Sequence, residues 1–482
     1  MAVSQESAPA PRKNRAVRII ALVVGGAVAC ASLGGIGFLG FQAGQAGGVS
    51  IEPDMPVVIE SQTDEARPTP ATPVAATRLP TCSLGDLTLD PRLGTLTGVV
   101  VDPWSGEVVL DQGGQELVAP ASVLKVITAA AAVTVLGPDR TFRTEVRQGS
   151  DPSQIFLVAG GDPTLSQEAD SSQSVYRDGA SLEALALQTM ETLTAASEGE
   201  APSISEVVVD TTVWDQNDSW DDSWATSARS NGYLSRVHSL QIDGDRANAA
   251  VAMSPRGNNP SLRAANAFVA ELKAAGNSAR QVSVSFAARD EDAEVVGSVE
   301  SAPVSVWVEY LLKESDNTLA EVLARHISLE LGFDGSSASI NEAMALALQD
   351  YGLDSAGVTI RDGSGLSALN QVTPEYVGSL LVAIFQSQGP LGDLRQALPL
   401  AGIDGSLDDR FVGDNSVAAG QVSAKTGSIS GTRSLAGFLQ SEDAANLVFA
   451  FFATGNVDDA ARGALESLVT GVFACGSNLA DF

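Results

Sequence analysis

The chain has 482 residues, enough for two or three folding units, and 44% hydrophobic against 18% charged residues describes a globular protein with a sizeable core. A formal charge of -31 excludes the basic face that a nucleic-acid partner would need. With two histidines, His238 and His326, and three cysteines, a zinc site of His and Cys ligands is hard to assemble, and no cofactor is implied.

Residues 19–41 are an uncharged apolar run, preceded by Arg12, Lys13, Arg15 and Arg18 and followed by Glu52 and Asp54. The run exceeds the apolar core of about 7–15 residues usual in a signal peptide. It predicts a single membrane span, with 1–18 as a cytoplasmic tail and the rest of the chain outside. A cleaved signal segment, processed among the small residues near 44–46, is the rival expectation. Cys30 lies within the run and reads as a membrane-buried thiol. Residues 42–81, with Pro53, Pro56, Pro68, Pro70 and Pro73 among polar neighbours, read as an extended linker. Cys82 and Cys475 bracket the region beyond the linker; in an oxidising compartment they invite a disulfide, with two buried free thiols as the alternative.

Further along, 96–102, 108–111 and 141–146 have strand-like composition, with a Pro-Trp-Ser-Gly turn at 103–106 between the first two. A helix is predicted over 120–136, entered by Pro120 and closed by Gly137 and Pro138. Turn signals and short strands dominate 148–300, which reads as an insertion. Beyond it, 304–313, 318–331, 374–386 and 458–473 read as helices, and 422–426, 434–439 and 447–453 as strands.

The helix at 120–136 is apolar on nearly all sides, so it is buried, and a buried lysine needs a reason. Ser122 and Lys125 lie three apart, on one face near the helix N-terminus, where the dipole favours a hydroxyl losing its proton. Burial lowers a lysine pKa, and a neutral amine beside a hydroxyl is a general base. That makes Ser122 a candidate nucleophile, although such a lysine can also snorkel from an ordinary core helix. The chain has only five lysines, and two further motifs accompany this one: Ser315-Asp316-Asn317 opening a predicted helix, and Lys425-Thr426-Gly427 on a strand, followed by Ser428.

Ser-x-x-Lys, Ser-Asp-Asn and Lys-Thr-Gly together resemble the motif set of the penicillin-recognising serine enzymes. Three longer stretches narrow the resemblance to the class C low-molecular-mass penicillin-binding proteins, D-alanyl-D-alanine carboxypeptidases and endopeptidases: Gly160-Gly-Asp-Pro-Thr-Leu165, Asp362-Gly-Ser-Gly-Leu-Ser367 and Pro399-Leu-Ala-Gly-Ile-Asp-Gly-Ser-Leu407. The resemblance implies an α/β fold of α+β type, like that of the serine transpeptidases and β-lactamases. Its antiparallel sheet would lie between helical layers, built from 82–147 and 301–482, with a β-rich accessory region inserted at 148–300. It implies that Ser122 attacks the bond between two D-alanines while Lys125 takes its proton. Ser315 would pass a proton to the leaving amine and Asn317 would hold the peptide. Lys425 and Thr426 would bind the terminal carboxylate, and the backbone amides of Ser122 and Ser428, beyond Gly427, would stabilise the oxyanion. The implied partners are peptidoglycan stem peptides and β-lactams. A β-lactamase-like hydrolase and a wall-binding protein without turnover stay open, the first weakened because no deacylating glutamate is identifiable.

One departure concerns Ala368, where many relatives carry arginine. The Trp214–Trp224 cluster, with four aspartates, reads as a structural loop edging a cleft, glycan or calcium binding being the alternatives. It lacks the glycine and final glutamate of a calcium loop. His326 reads as packed or at the surface. Asp162 and Asp362, beside glycines, read as turn formers.

Overall fold

The computed structural model describes residues 81–480, apart from 168, 169 and 178. The predicted tail, span and most of the linker lie outside the described residues, as does Cys30. Among the described residues no helix is long and apolar enough to cross a membrane.

The strands are β1 Thr95–Val101, β2 Val108–Gln112, β3 Arg143–Gln148, β4 Gln154–Val158, β5 Glu206–Asp210, β6 Ser283–Phe286, β7 Glu294–Glu300, β8 Val422–Ile429, β9 Thr432–Gln440 and β10 Asn446–Thr454. The main helices are α1 Leu124–Val135, α2 Leu182–Ala196, α3 Pro260–Ala274, α4 Val304–Glu314, α5 Asn317–Glu330, α6 Ile340–Leu348, α7 Pro374–Phe385 and α8 Ala460–Cys475. One sheet runs β2-β1-β10-β9-β8, antiparallel throughout. Its strands alternate their apolar side chains between two cores, as a period of two requires. Val99, Val101, Phe438 and Phe452 join the buried residues of α1 and α4 to α7. Val100, Leu435, Phe449 and Phe451 pack with Leu465, Leu468 and Val472 of α8. An antiparallel sheet between helical layers is therefore the architecture, and β8, the strand of the Lys-Thr-Gly motif, is its edge.

The second sheet runs β6-β5-β4-β3-β7. Its β3 pairs with β4 and β7, so this sheet starts within the segment 82–147 that the sequence assigns to the catalytic part. Pairs β4–β5 and β5–β6 are parallel. Parallel neighbours need crossover connections, and α2 lies between β4 and β5 in the chain while α3 lies between β5 and β6. The insertion thus carries two 15-residue helices that the sequence leaves among turns and short strands. Helix α2 buries Leu182, Leu185, Ala186, Thr189, Met190 and Leu193 at helical spacing, capped by the Ser181 hydroxyl. Three threonines dilute that stripe in the sequence.

Cys82 and Cys475 form a disulfide, closing a loop of 393 residues. Alongside it, Cys82 N–H donates to Asn478 O and Ala480 N–H to Cys82 O. Because the crosslink constrains the unfolded chain, Cys82→Ser together with Cys475→Ser should cost about 2–4 kcal/mol. Thermal denaturation should show a midpoint several degrees lower, with penicillin labelling at low temperature preserved.

Candidate active site

The segment before α1 turns sharply. Ala121 has φ 50°, and Ala121–Val123 form a single 3-10 turn that leads into α1. Ser122 sits in that turn, half-buried at the cleft, and Lys125 lies one turn on with its side chain fully buried. Gly365, at φ 81°, packs against the carbonyl of Ala121 so closely that a Cβ there would collide with it. The turn at 362–367 thereby seats the backbone at Ser122.

Lys125 Nζ is 3.0 Å from Ser122 Oγ, 2.6 Å from Asn317 Oδ1 and 2.6 Å from the Ser364 carbonyl. A neutral amine has two N–H groups and one lone pair. The two carbonyl oxygens can only accept, so they take both N–H groups and leave the lone pair for the Ser122 hydroxyl to donate to. Burial pulls the Lys125 amine down to about 8, against the opposing pull of Asp362, Glu321 and Asp316. The side-chain NH₂ of Asn317 donates to the Tyr233 carbonyl at 2.9 Å, which fixes the orientation of the amide.

On the opposite wall, Lys425 Nζ donates to Ser315 Oγ at 2.9 Å and to Thr426 O at 3.0 Å. Burial, with the Lys125 charge nearby, lowers the Lys425 amine well below its ordinary range. Thr426 Oγ1 donates to Ser406 Oγ at 3.1 Å, which brings the 399–407 stretch to the cleft. Gly427 lies opposite Ser434 on β9, and a Cβ there would strike the Ser434 hydroxyl, which is bonded to the Pro120 carbonyl at 2.8 Å. Ser122, Ser315, Asn317, Thr426, Gly427 and Ser428 line one cleft of about 680 Å³, and Lys125 and Lys425 meet it through their hydroxyl partners. All eight residues picked out in the sequence are thus brought together.

Some groups at this site have little sequence signal. The Ser364 carbonyl is backbone, marked only by the glycines around it. Glu321 accepts the Gly363 and Ser364 amides, at 3.2 and 2.8 Å. Its signal is a carboxylate on the apolar face of α5, four residues after Asn317. Asp362 does form the turn, accepting the Gly365 and Ser367 amides, but it also accepts the Trp224 indole and the Asn370 amide. Trp224 is buried, and Ser223 and Ala225 line the cleft, so the Trp-rich loop is an edge of it. Asp162 accepts the Thr164 amide and hydroxyl within its own turn. His326 is packed, stacked on Phe142 at 3.7 Å with Nε2 2.9 Å from the Gly161 carbonyl. Among the described residues no group of His, Cys, Asp and Glu could hold a metal ion.

This arrangement of serine, buried lysine and edge-strand lysine on a layered α+β fold is that of a penicillin-recognising serine hydrolase. The chain belongs to the D-Ala-D-Ala carboxypeptidase 3 (S13) family, whose model matches residues 81–268 and 246–472. It is 30% identical over 417 residues to carboxypeptidase DacB of Mycolicibacterium smegmatis, covering 86% of each chain. To the D-alanyl-D-alanine carboxypeptidase of an Actinomadura species it is 29% identical, over 73% of this chain and 76% of that one. The fold is similar to that of penicillin-binding protein 4 of Haemophilus influenzae, with a TM-score of 0.66 and 20% identity, over 81% of this chain and 98% of that one.

With Lys125 in the role of base that the resemblance implies, acylation should rise with pH through about 8 and level off above it, since at lower pH its lone pair is taken by a proton. Labelling rates with a fluorescent penicillin from about pH 6 to 10 would show the limb, and a rate flat across that range would contradict it.

Proposed function

We propose that Ser122 is the nucleophile and Lys125 the general base of a D-alanyl-D-alanine carboxypeptidase that acts on peptidoglycan stem peptides. The carrying observation is that Lys125 Nζ meets Ser122 Oγ, Asn317 Oδ1 and Ser364 O, the last two able only to accept, so that loss of a proton from the amine leaves its lone pair to Ser122. Ser122 Oγ forms a bond to the carbonyl carbon of the penultimate D-alanine as its proton passes to Lys125 Nζ. The amides of Ser122 and Ser428 take the oxyanion, a contribution of about 3 kcal/mol where such donors are well placed. Collapse of the tetrahedral species breaks the C–N bond, and Ser315, held by Lys425, delivers a proton to the departing D-alanine amine. Water then cleaves the ester and restores Ser122.

Lys425 and Thr426 bind the terminal carboxylate. The buried Lys425 amine, bonded to Ser315 at the cleft, supports this reading, because an arriving carboxylate would favour its ammonium form and yield a charge-assisted contact. Asn317 keeps one edge on Lys125 and presents the other to the peptide. A β-lactam would acylate Ser122 by the same steps, but its leaving group stays tethered and slows the hydrolysis. The same site would cleave D,D-cross-links when the leaving amine belongs to a second stem peptide.

Ser122→Ala should abolish both penicillin labelling and D-alanine release while leaving the fold intact. Mass spectrometry of products from purified muropeptides reads the bond cut and separates carboxypeptidase from endopeptidase action. Persistent labelling of Ser122→Ala would show that another serine is the nucleophile.

The catalytic region is further proposed to stand outside the cell, held by a single span at 19–41 with the 42–81 linker as spacer. The basic residues before the apolar run support that orientation, and the Cys82–Cys475 disulfide fits an oxidising compartment. Full-length chain should stay with membranes after a carbonate wash; release of a shortened chain would favour the cleaved segment.

A further inference from the structure

Asp316 takes no part in the acylation or the hydrolysis, yet its buried carboxylate is held from three sides. Oδ1 accepts the Leu319 amide at 2.9 Å and caps α5. Oδ2 accepts the Arg246 guanidinium at 2.6 Å and the Tyr176 hydroxyl at 2.9 Å. Both of those partners come from the insertion. Arg246 is itself pinned, donating Nη1 to Asp243 O at 3.0 Å and Nε to Ala252 O at 3.1 Å, with its guanidinium 4.6 Å from the Tyr176 ring centroid. Side chains fixed this way have one place to hold the carboxylate.

Asp316 is the chain neighbour of both Ser315 and Asn317. Ser315 sits at φ 60°, a left-handed conformation that serine avoids unless its surroundings impose it, and from there it reaches Lys425. Asn317 leaves in the other direction to reach Lys125. We propose that Arg246, with Tyr176, is a positioning residue for the Ser-Asp-Asn motif: the insertion reaches under the cleft, grips Asp316, and so sets both the Ser315–Lys425 and the Asn317–Lys125 contacts.

A purely structural clamp would affect only rates, but this one also carries charge. Lys125 faces the carboxylates of Asp362, Glu321 and Asp316 and the amine of Lys425. Asp316 faces Arg246 and Arg256, with Tyr176, Tyr310 and Glu314 around it. While Arg246 is present its charge offsets that of Asp316. Without it, Asp316 acts on Lys125 opposed by Arg256 alone, and the amine holds its proton more tightly.

The inference rests on Lys125 as the base. Its test is the rate of penicillin acylation against pH in the full chain. R246Q should lower the rate at neutral pH about tenfold or more and move the midpoint of the rising limb up by about half a pH unit. R246Q with D316N should return the midpoint, since Asn still caps α5 and the charges again balance, without restoring the rate. R246K and Y176F keep the charge, so both should be slower than the parent at an unmoved midpoint. Parent-like rate and midpoint in R246Q would overturn the proposal, and so would a slower R246Q whose midpoint does not move. Should R246Q fail to fold, R246K and Y176F decide, and parent rates in both would overturn it. Failure of the underlying reading shows separately, as labelling that survives Ser122→Ala.

Discussion

On the mechanism proposed above, the site depends on keeping a lysine amine buried and yet reactive. Exposed, Lys125 would carry a proton at neutral pH and could not accept another. Burial alone would make it a weak base, because the lower the amine pKa falls, the less readily it draws a proton from a hydroxyl. The carboxylates of Asp362, Glu321 and Asp316 moderate the fall, and the balance lies at about 8. A base near the working pH combines a usable neutral fraction with useful strength. The fold meets this requirement by bringing three distant segments onto one nitrogen: the turn before α1, the first residue of α5, and the loop holding Ser364.

Glu321 and Asp362 are a buried acidic pair, and their partners distinguish them. Burial raises the Asp362 carboxyl, opposed by the four hydrogen bonds it accepts from groups that can only donate. Glu321 accepts two, and burial together with the neighbouring Asp362 charge drives its carboxyl upward. Both carboxyls are thus raised by burial, and Asp362 has the more hydrogen bonds opposing the rise. Both carboxylates hold the 362–367 turn, so the groups that tune the amine also place its carbonyl partner.

The residues that meet at the cleft were legible in the sequence because they are rare residues at set spacings. Ser122 and Lys125 share a helical face at any address in the chain, and an amine inside an apolar helix announces itself. The sheet strands at 434–439 and 447–453 were legible as apolar runs, and Cys82 with Cys475 as a pair bracketing the fold. What stayed hidden depends on long-range geometry. Arg246 and Tyr176 lie in irregular segments whose composition resembles that of any polar loop, and their partner is 70 and 140 residues away. Helices α2 and α3 carry Thr and Ala where a stronger stripe would carry Leu, so turn residues on either side outweighed them. Strand β3 has the right composition for either sheet, and pairing alone assigns it to the second.

The insertion supplies hydrogen-bond partners to Asn317, Asp362 and Asp316 at the cleft's motifs and turns, which is what the proposed positioning role draws on. Tyr233 lends its carbonyl to Asn317, Trp224 its indole to Asp362, and Arg246 and Tyr176 hold Asp316. A buried ion pair such as Arg246–Asp316 is weak evidence for stability, since desolvating both charges offsets much of their attraction. Apolar groups of similar volume could pack there at comparable stability. They could not direct Ser315 and Asn317 to two different lysines, because dispersion has no preferred direction, whereas a guanidinium and a phenol hydroxyl meeting one carboxylate oxygen constrain where it lies. The pair is better understood as fixing geometry than as adding stability, and the strained backbone at Ser315 is the place where that constraint is felt.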